Sequence, residues 1–146
     1  MARAAESEQK IRVFVAEDDA AMRALLCDRL RQRGYEVRSF SDGRELLAAI
    51  DHTPSSVDAP DLVISDVRMP GVTGLQALEV LRNRFDWHVP FIIITAFGDT
   101  ETHARAYRSG ATALFDKPFD VGALLRQVAV LAIPDATTWR GCGIAD

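Results

Sequence analysis

Four apolar runs in this chain end on side chains of the kind that handle phosphate and metal ions. "IRVFVA" (11 to 16) is followed by Glu17, Asp18 and Asp19; "DLVIS" runs into Asp66; "PFIII" ends on Thr95; and "ATALFD" (111 to 116) is followed by Lys117 and Pro118. If these ends meet, three or four carboxylates, one hydroxyl and one ammonium share one place. Two carboxylates about 4 Å apart repel by roughly 1 kcal/mol in water and roughly 4 kcal/mol at an effective dielectric near 20, so a cluster of three needs compensation. One lysine cannot supply it. A divalent cation can, and an all-oxygen donor set selects a hard ion, Mg2+ or the similar Mn2+. Such a site suits phosphoryl transfer: the cation and Lys117 neutralise oxygens, Thr95 donates a hydrogen bond, and a carboxylate acts as nucleophile. Asp66 is the candidate nucleophile.

Each residue also has a plain structural role open to it. Asp18 and Asp19 can cap a helix, Asp66 can cap the next turn, and Thr95 can be an ordinary β-branched strand residue. What favours chemistry is the combination of strand ends. The lysine adds to it, because only two of the seventeen Lys and Arg residues are Lys, namely Lys10 and Lys117. A compact ammonium on a flexible stem differs from the planar guanidinium used nearly everywhere else.

Strand and helix signals alternate five times, the pattern of a parallel sheet covered on both faces by helices. The strands are expected at 11 to 16, 35 to 40, 61 to 66, 90 to 95 and 111 to 116. "YEVRSF" alternates and reads as a strand near an edge, whereas "PFIIIT" is continuously apolar, as for a strand buried on both faces. Asp19 can cap a helix that carries Met22, Leu25, Leu26 and Leu30 on one face and ends at Gly34. Asp42 with Glu45, and Thr73 with Gln76, have capping-box spacing before two further helices. Leu75, Leu78 and Leu81 then mark the inner face of the third. A less regular fourth helix spans roughly 99 to 109, with Gly110 ending it, and a fifth spans 120 to 132 with Leu124, Leu125, Val128 and Leu131 inward. In such a doubly wound sheet the ligand site lies beyond the carboxyl ends of the strands, where these polar residues stand.

The 146 residues are enough for one domain with a sizeable core. The composition, 48% hydrophobic and 26% charged, is that of a soluble globular protein, without repeats or low-complexity segments. No apolar run approaches the roughly 20 residues of a membrane helix, and "MARAAESEQK" lacks an apolar signal core, so a cytoplasmic protein with no membrane partner is expected. Residues 1 to 9 read as a disordered lead, 10 to 133 as the domain, and 134 to 146 as a tail too short for an output domain. Cys27 and Cys142 read as reduced thiols rather than a framework or metal pair. A net charge of −4 argues against a nucleic-acid surface. The cluster Arg29, Arg31 and Arg33 suits the solvated C-terminal end of a helix.

The motifs "VAEDDAAMR", "LVISDVRMPGVTGL", "IIITAFGD" and "LFDKPF", in this order and spacing over about residues 10 to 133, resemble the receiver domains of bacterial two-component response regulators, the CheY-like family. The resemblance implies a flavodoxin-like three-layer sandwich with a five-stranded parallel sheet in the order 2-1-3-4-5. It implies that Asp66 is the phosphoacceptor, that Thr95 and Lys117 contact the phosphoryl oxygens, and that the Lys117-Pro118 bond is cis. The "MR" of "EDDAAMR" sets the register, so that Asp18 and Asp66 ligate Mg2+ directly, Glu17 acts through water, and the backbone carbonyl of Arg68 completes the set. Asp19 is left as the cap.

By the same resemblance the partner is a histidine kinase or phosphotransfer protein. The domain catalyses its own phosphorylation and autodephosphorylation and is otherwise no enzyme. Phosphorylation draws in Thr95 and alters the face formed by the fourth helix, fifth strand and fifth helix, for a downstream protein target or for homodimerisation. Arg68 and Phe97 flank the attacking water. Leu114 departs from the family pattern, which has an aromatic residue three before the lysine, and alternation points the adjacent Phe115 to the other face. Two competing readings are a receiver-like adaptor that is never phosphorylated and a haloacid-dehalogenase-type phosphatase. The phosphatase requires a second Asp where this chain has Arg68, and an acidic pair late in the chain rather than first.

Overall fold

The computed structural model describes residues 10–52, 59–69, 71–84, 87–96 and 98–132. Expectations that concern the lead, most of the loop after residue 52, Pro70, Phe97, Cys142 and the rest of the tail fall outside these residues. Five strands and five helices alternate: β1 (Arg12–Ala16), α1 (Ala20–Gln32), β2 (Glu36–Phe40), α2 (Gly43–His52), β3 (Leu62–Asp66), α3 (Gly74–Glu79), β4 (Phe91–Thr95), α4 (Thr100–Arg108), β5 (Ala113–Asp116) and α5 (Val121–Leu131). All strand pairs are parallel, in the order β2-β1-β3-β4-β5.

Strand alternation divides the core into two layers. Val13, Val15, Leu62, Ile64, Ile92 and Ile94 pack against Leu26, Cys27 and Leu30 of α1 and Leu124, Leu125 and Val128 of α5. Phe14, Val63, Phe91 and Ile93 pack on the opposite face against α2, α3 and Ala106 of α4. β3 and β4 are buried at every position, as a strand covered on both faces must be. β2 and β5 are the edges. On β2, Glu36 and Phe40 bond to the β1 side, through Glu36 N to Ile11 O and Glu17 N to Phe40 O, so the intervening odd positions turn their backbone outward. Arg31 Nη2 donates to the outward carbonyl of Val37 at 3.1 Å and thereby shields this edge.

The helix ends follow the side chains expected of them. Asp19 Oδ1 accepts from Ala21 N, and Thr73 and Gln76 complete a reciprocal capping box. The Asp42 and Glu45 pair is a near relative of that box: Glu45 N donates to Asp42 Oδ1, but the Glu45 carboxylate turns to the Ser41 N–H instead. Gly34 (φ 93°) ends α1, and Tyr35 N reaches back to Leu30 O, a conformation that costs a residue with Cβ strain.

Beyond α3 the chain departs from the expected regular helix and makes a π-helical turn, Val80–Arg84. Leu81 stays fully buried, so the leucine spacing survives the wider turn. The turn directs Arg82 toward the end of α4. Its Nη2 and Nε donate to Gly110 O at 2.8 and 3.2 Å, and its Nη1 donates to Trp87 O at 2.9 Å. Burial pulls the Arg82 pKa down to about 10, which leaves it charged at neutral pH.

Gly74 shows how tightly the site strand is packed. Its N–H donates to Val67 O, and a Cβ at this position would overlap the carbonyl oxygen of Asp66 and stand 2.8 Å from Ser65 Oγ. Gly74→Ala should therefore lower the unfolding free energy by about 2 kcal/mol, read as a lower urea midpoint at unchanged slope. An unchanged midpoint would show that α3 can back away from β3 at no cost.

Candidate functional site

The register of the sheet brings the carboxyl ends of β1, β3, β4 and β5 to one edge. Ala16 lies opposite Ser65, Asp66 opposite Ile94, and Thr95 opposite Asp116, so the residue that closes each strand, or follows it, faces a shared space. Lys117 N donates to Thr95 O at 2.7 Å and ties the last two of these ends together.

Glu17, Asp18 and Asp66 converge there, each offering a carboxylate oxygen within 4.8 Å of the others. Glu17 is 1% exposed and Asp66 4%, while Asp18 is exposed. Lys117 Nζ reaches into the group, 2.8 Å from Asp66 Oδ2 and 3.1 Å from Glu17 Oε1. Asp66 Oδ1 accepts from the Arg68 N–H at 3.2 Å. Glu17 is fixed from behind: its Oε2 accepts from Asp19 N at 3.1 Å, and its carbonyl accepts from Arg23 Nη1 at 2.7 Å. The three consecutive acids thus divide into a buried carboxylate, an exposed one and a helix cap.

The charges do not balance. Burial raises the Glu17 pKa to about 7; the Asp19 N–H and Lys117 oppose this, and the Asp66 charge adds to it. Burial also works against the Lys117 ammonium, but its hydrogen bonds to and attraction by Asp66 and Glu17 prevail and raise its pKa. Glu17 Oε1 is buried and lies within ion-pair distance of Lys117, yet it has no directed hydrogen bond. A buried oxygen left in this state, beside two more carboxylates and the Lys117 ammonium, fits a hard divalent ion. The acidic group could hold such a metal.

Thr95 is fully buried at the end of β4, beside this group. The structure brings together Glu17, Asp18, Asp66 and Lys117, and places Thr95 and Arg68 at the same strand ends. The sequence reading missed the support from Arg23, although Arg23 is the arginine of the "MR" pair used to set the register. Leu114 packs with the core face of α2, α3 and α4, whereas Phe115 packs on the α5 side, edge to face with Phe119 at 6.1 Å. The opposite orientation of these neighbours agrees with strand alternation. The Lys117-Pro118 peptide is cis. Among the described residues no helix is long and apolar enough to cross a membrane.

This fold, with an acidic group and a lysine at the switch point of the sheet, is that of a receiver. The chain belongs to the response regulator receiver domain family, which matches residues 13–129. Nodulation protein W of Bradyrhizobium diazoefficiens is 37% identical over 123 residues, covering 84% of this chain and 52% of that protein. The DNA-binding transcriptional regulator NtrC of Salmonella typhimurium is 37% identical over 109 residues, covering 75% of this chain and 22% of that protein. This chain therefore spans about half or less of the length of these relatives. The response regulator protein TrrA of Thermotoga maritima, solved in complex with Mg(2+)-BeF, superposes with a TM-score of 0.71 at 27% identity over 83% of this chain and 98% of that one. Receiver domains are regulatory units rather than classical enzymes.

Proposed function

We propose that this chain is a phosphorylation-dependent receiver in which Asp66 accepts a phosphoryl group from a histidine kinase or phosphotransfer protein. Mg2+ or Mn2+ would be held by Asp18, Asp66 and the Arg68 carbonyl, with Glu17 acting through water. The observation that carries this reading is the buried Asp66 carboxylate, 2.8 Å from Lys117 Nζ and grouped with two further carboxylates. Binding of Mg(2+)-BeF by the similar TrrA supports it. When bound, the cation supplies positive charge that offsets both the acidic group and the phosphoryl oxygens.

The chain's own residues account for the remaining chemistry. An Asp66 oxygen attacks phosphorus; the O–P bond forms as the N–P bond to the donor imidazole breaks, and the nitrogen keeps the bonding pair. Burial keeps bulk water from the Asp66 carboxylate, and Lys117 is already placed to follow its charge onto the transferred group. The Thr95 hydroxyl serves as a second donor. Water then attacks phosphorus and the Asp66 O–P bond breaks, which releases inorganic phosphate and returns the carboxylate: the autodephosphorylation of this domain.

In this reading residues 10 to 133 form the receiver unit, and α4, β5 and α5 present the altered face to a protein target or to a second copy. The decisive experiment is incubation with acetyl phosphate and Mg2+, followed by mass spectrometry and fragment mapping. The expected result is a gain of one phosphoryl group on Asp66 that requires the divalent ion; no gain favours an adaptor that works unphosphorylated. Asp18→Asn, at an exposed position, should leave the fold intact but weaken Mg2+ binding by about tenfold or more in a calorimetric titration. Unaltered affinity would remove Asp18 from the ligand set.

A further inference from the structure

Helix α4 is fastened differently at its two ends. At the C-terminal end the half-buried Arg82 grips the Gly110 and Trp87 carbonyls with three hydrogen bonds, and Ser109 Oγ donates to Glu79 Oε2 at 2.9 Å. Near the N-terminal end, His103 Nε2 meets Asp116 Oδ1 of β5 at 2.9 Å, in a contact that is 35% and 47% exposed. Gly98, just ahead of α4, lies against the same carboxylate, since a Cβ there would collide with Asp116 Oδ1. Asp116 is in turn joined to Lys117, whose N–H bonds to Thr95 O. The exposed contact thus ties α4 itself to the strand end that already holds Thr95 through Lys117.

We propose that the His103 and Asp116 contact is a latch that holds α4 in its unphosphorylated position, and that α4 swings about the Arg82 and Gly110 end when the latch opens. This inference rests on the phosphoacceptor reading. Displacement of Thr95 toward a phosphoryl group pulls the Gly98 segment off Asp116 and strains the exposed contact first. The two bonds from Arg82 to Gly110 O, together with that from Ser109 to Glu79, make the other end the costlier one to release. Opening the latch in advance removes a cost that the phosphorylated state otherwise meets, so the active arrangement becomes easier to reach.

The test uses beryllofluoride with Mg2+ as the probe and amide hydrogen exchange along α4 as the readout, on the full chain. In His103→Ala the amides of the first turns of α4 should exchange about three- to tenfold faster without the probe, and the probe should bind tighter by a similar factor, the range expected of one hydrogen bond. His103→Gln, whose amide can still donate to Asp116, should return both values toward wild type. In the wild type the probe should raise exchange at residues 100 to 104 while residues 109 to 111 keep their protection. Unchanged exchange or unchanged affinity in His103→Ala overturns the latch, and equal loss of protection at both ends overturns the pivot. A wild-type chain that binds no beryllofluoride overturns the phosphoacceptor reading and the regulation with it, whereas a wild type that binds, beside variants that bind no better, overturns the latch alone.

Discussion

Asp66→Asn is expected to abolish phosphoryl uptake from acetyl phosphate in Mg2+, a loss of at least about 10^4-fold in rate, with no compensating site. The amide is close to isosteric with the carboxylate but offers no nucleophilic oxygen anion. Its fold should survive. The Asn carbonyl oxygen can still accept from Lys117 Nζ, which lies 2.8 Å from Asp66 Oδ2 in the wild type, and the substitution removes repulsion with Glu17. The lost charge attraction between Asp66 and Lys117 opposes the relieved repulsion, so metal-free stability should stay within about 1 kcal/mol of wild type. A variant that unfolds would leave uptake uninterpretable, and the denaturation curve therefore belongs beside the mass spectrum. Continued uptake by a folded variant would move the acceptor to another carboxylate, such as the exposed Asp18 of the same group.

Much of this site could be read from the sequence because a parallel sheet converts strand ends into spatial neighbours. Asp66, Thr95 and Lys117 needed only the positions of their strands, and the apolar runs declare those positions. Helix rotation is harder to read. His103 and Asp116 meet because α4 turns one particular face to β5, and the sequence reading assigned no inner face to this helix, whose fully buried residue is the small Ala106. Arg82 was hidden for a related reason: Leu75, Leu78 and Leu81 keep helical spacing through the π-helical turn, so the apolar pattern carries no sign of it. The acids 17 to 19 pose a third kind of difficulty. Three adjacent carboxylates look alike by type and spacing; the register of "EDDAAMR" left Asp19 as the cap, and in the structure Asp19 caps α1 while Glu17 is buried and Asp18 exposed.

Lys117→Met offers the sharpest test of the electrostatics, because it leaves two carboxylates, 1% and 6% exposed at their side chains, without their common cation. Removing one partner from a buried ionic group costs roughly 3 kcal/mol, and the metal-free variant should be less stable by about that amount. The defect should depend on pH. Glu17 has its pKa raised by burial from 4.5 to about 7, so the folded wild type binds this proton more tightly than the unfolded chain, and the contribution of Glu17 to stability is lost as pH rises through that window. Without Lys117 the loss should deepen, with a smaller defect near pH 5, where Glu17 carries its proton, than near pH 8. Glu17→Gln in the Lys117→Met background should restore most of the stability, since one ionised carboxylate then remains, and the two substitutions should deviate strongly from additivity. Saturating Mg2+ should also narrow the gap from wild type while leaving phosphoryl uptake impaired, because the metal can balance the acidic group but cannot replace the ammonium beside Asp66 Oδ2. If the single and double variants are equally unstable at pH 8, the loss comes from packing of the lysine stem and the charge imbalance at the strand ends is not what Lys117 offsets.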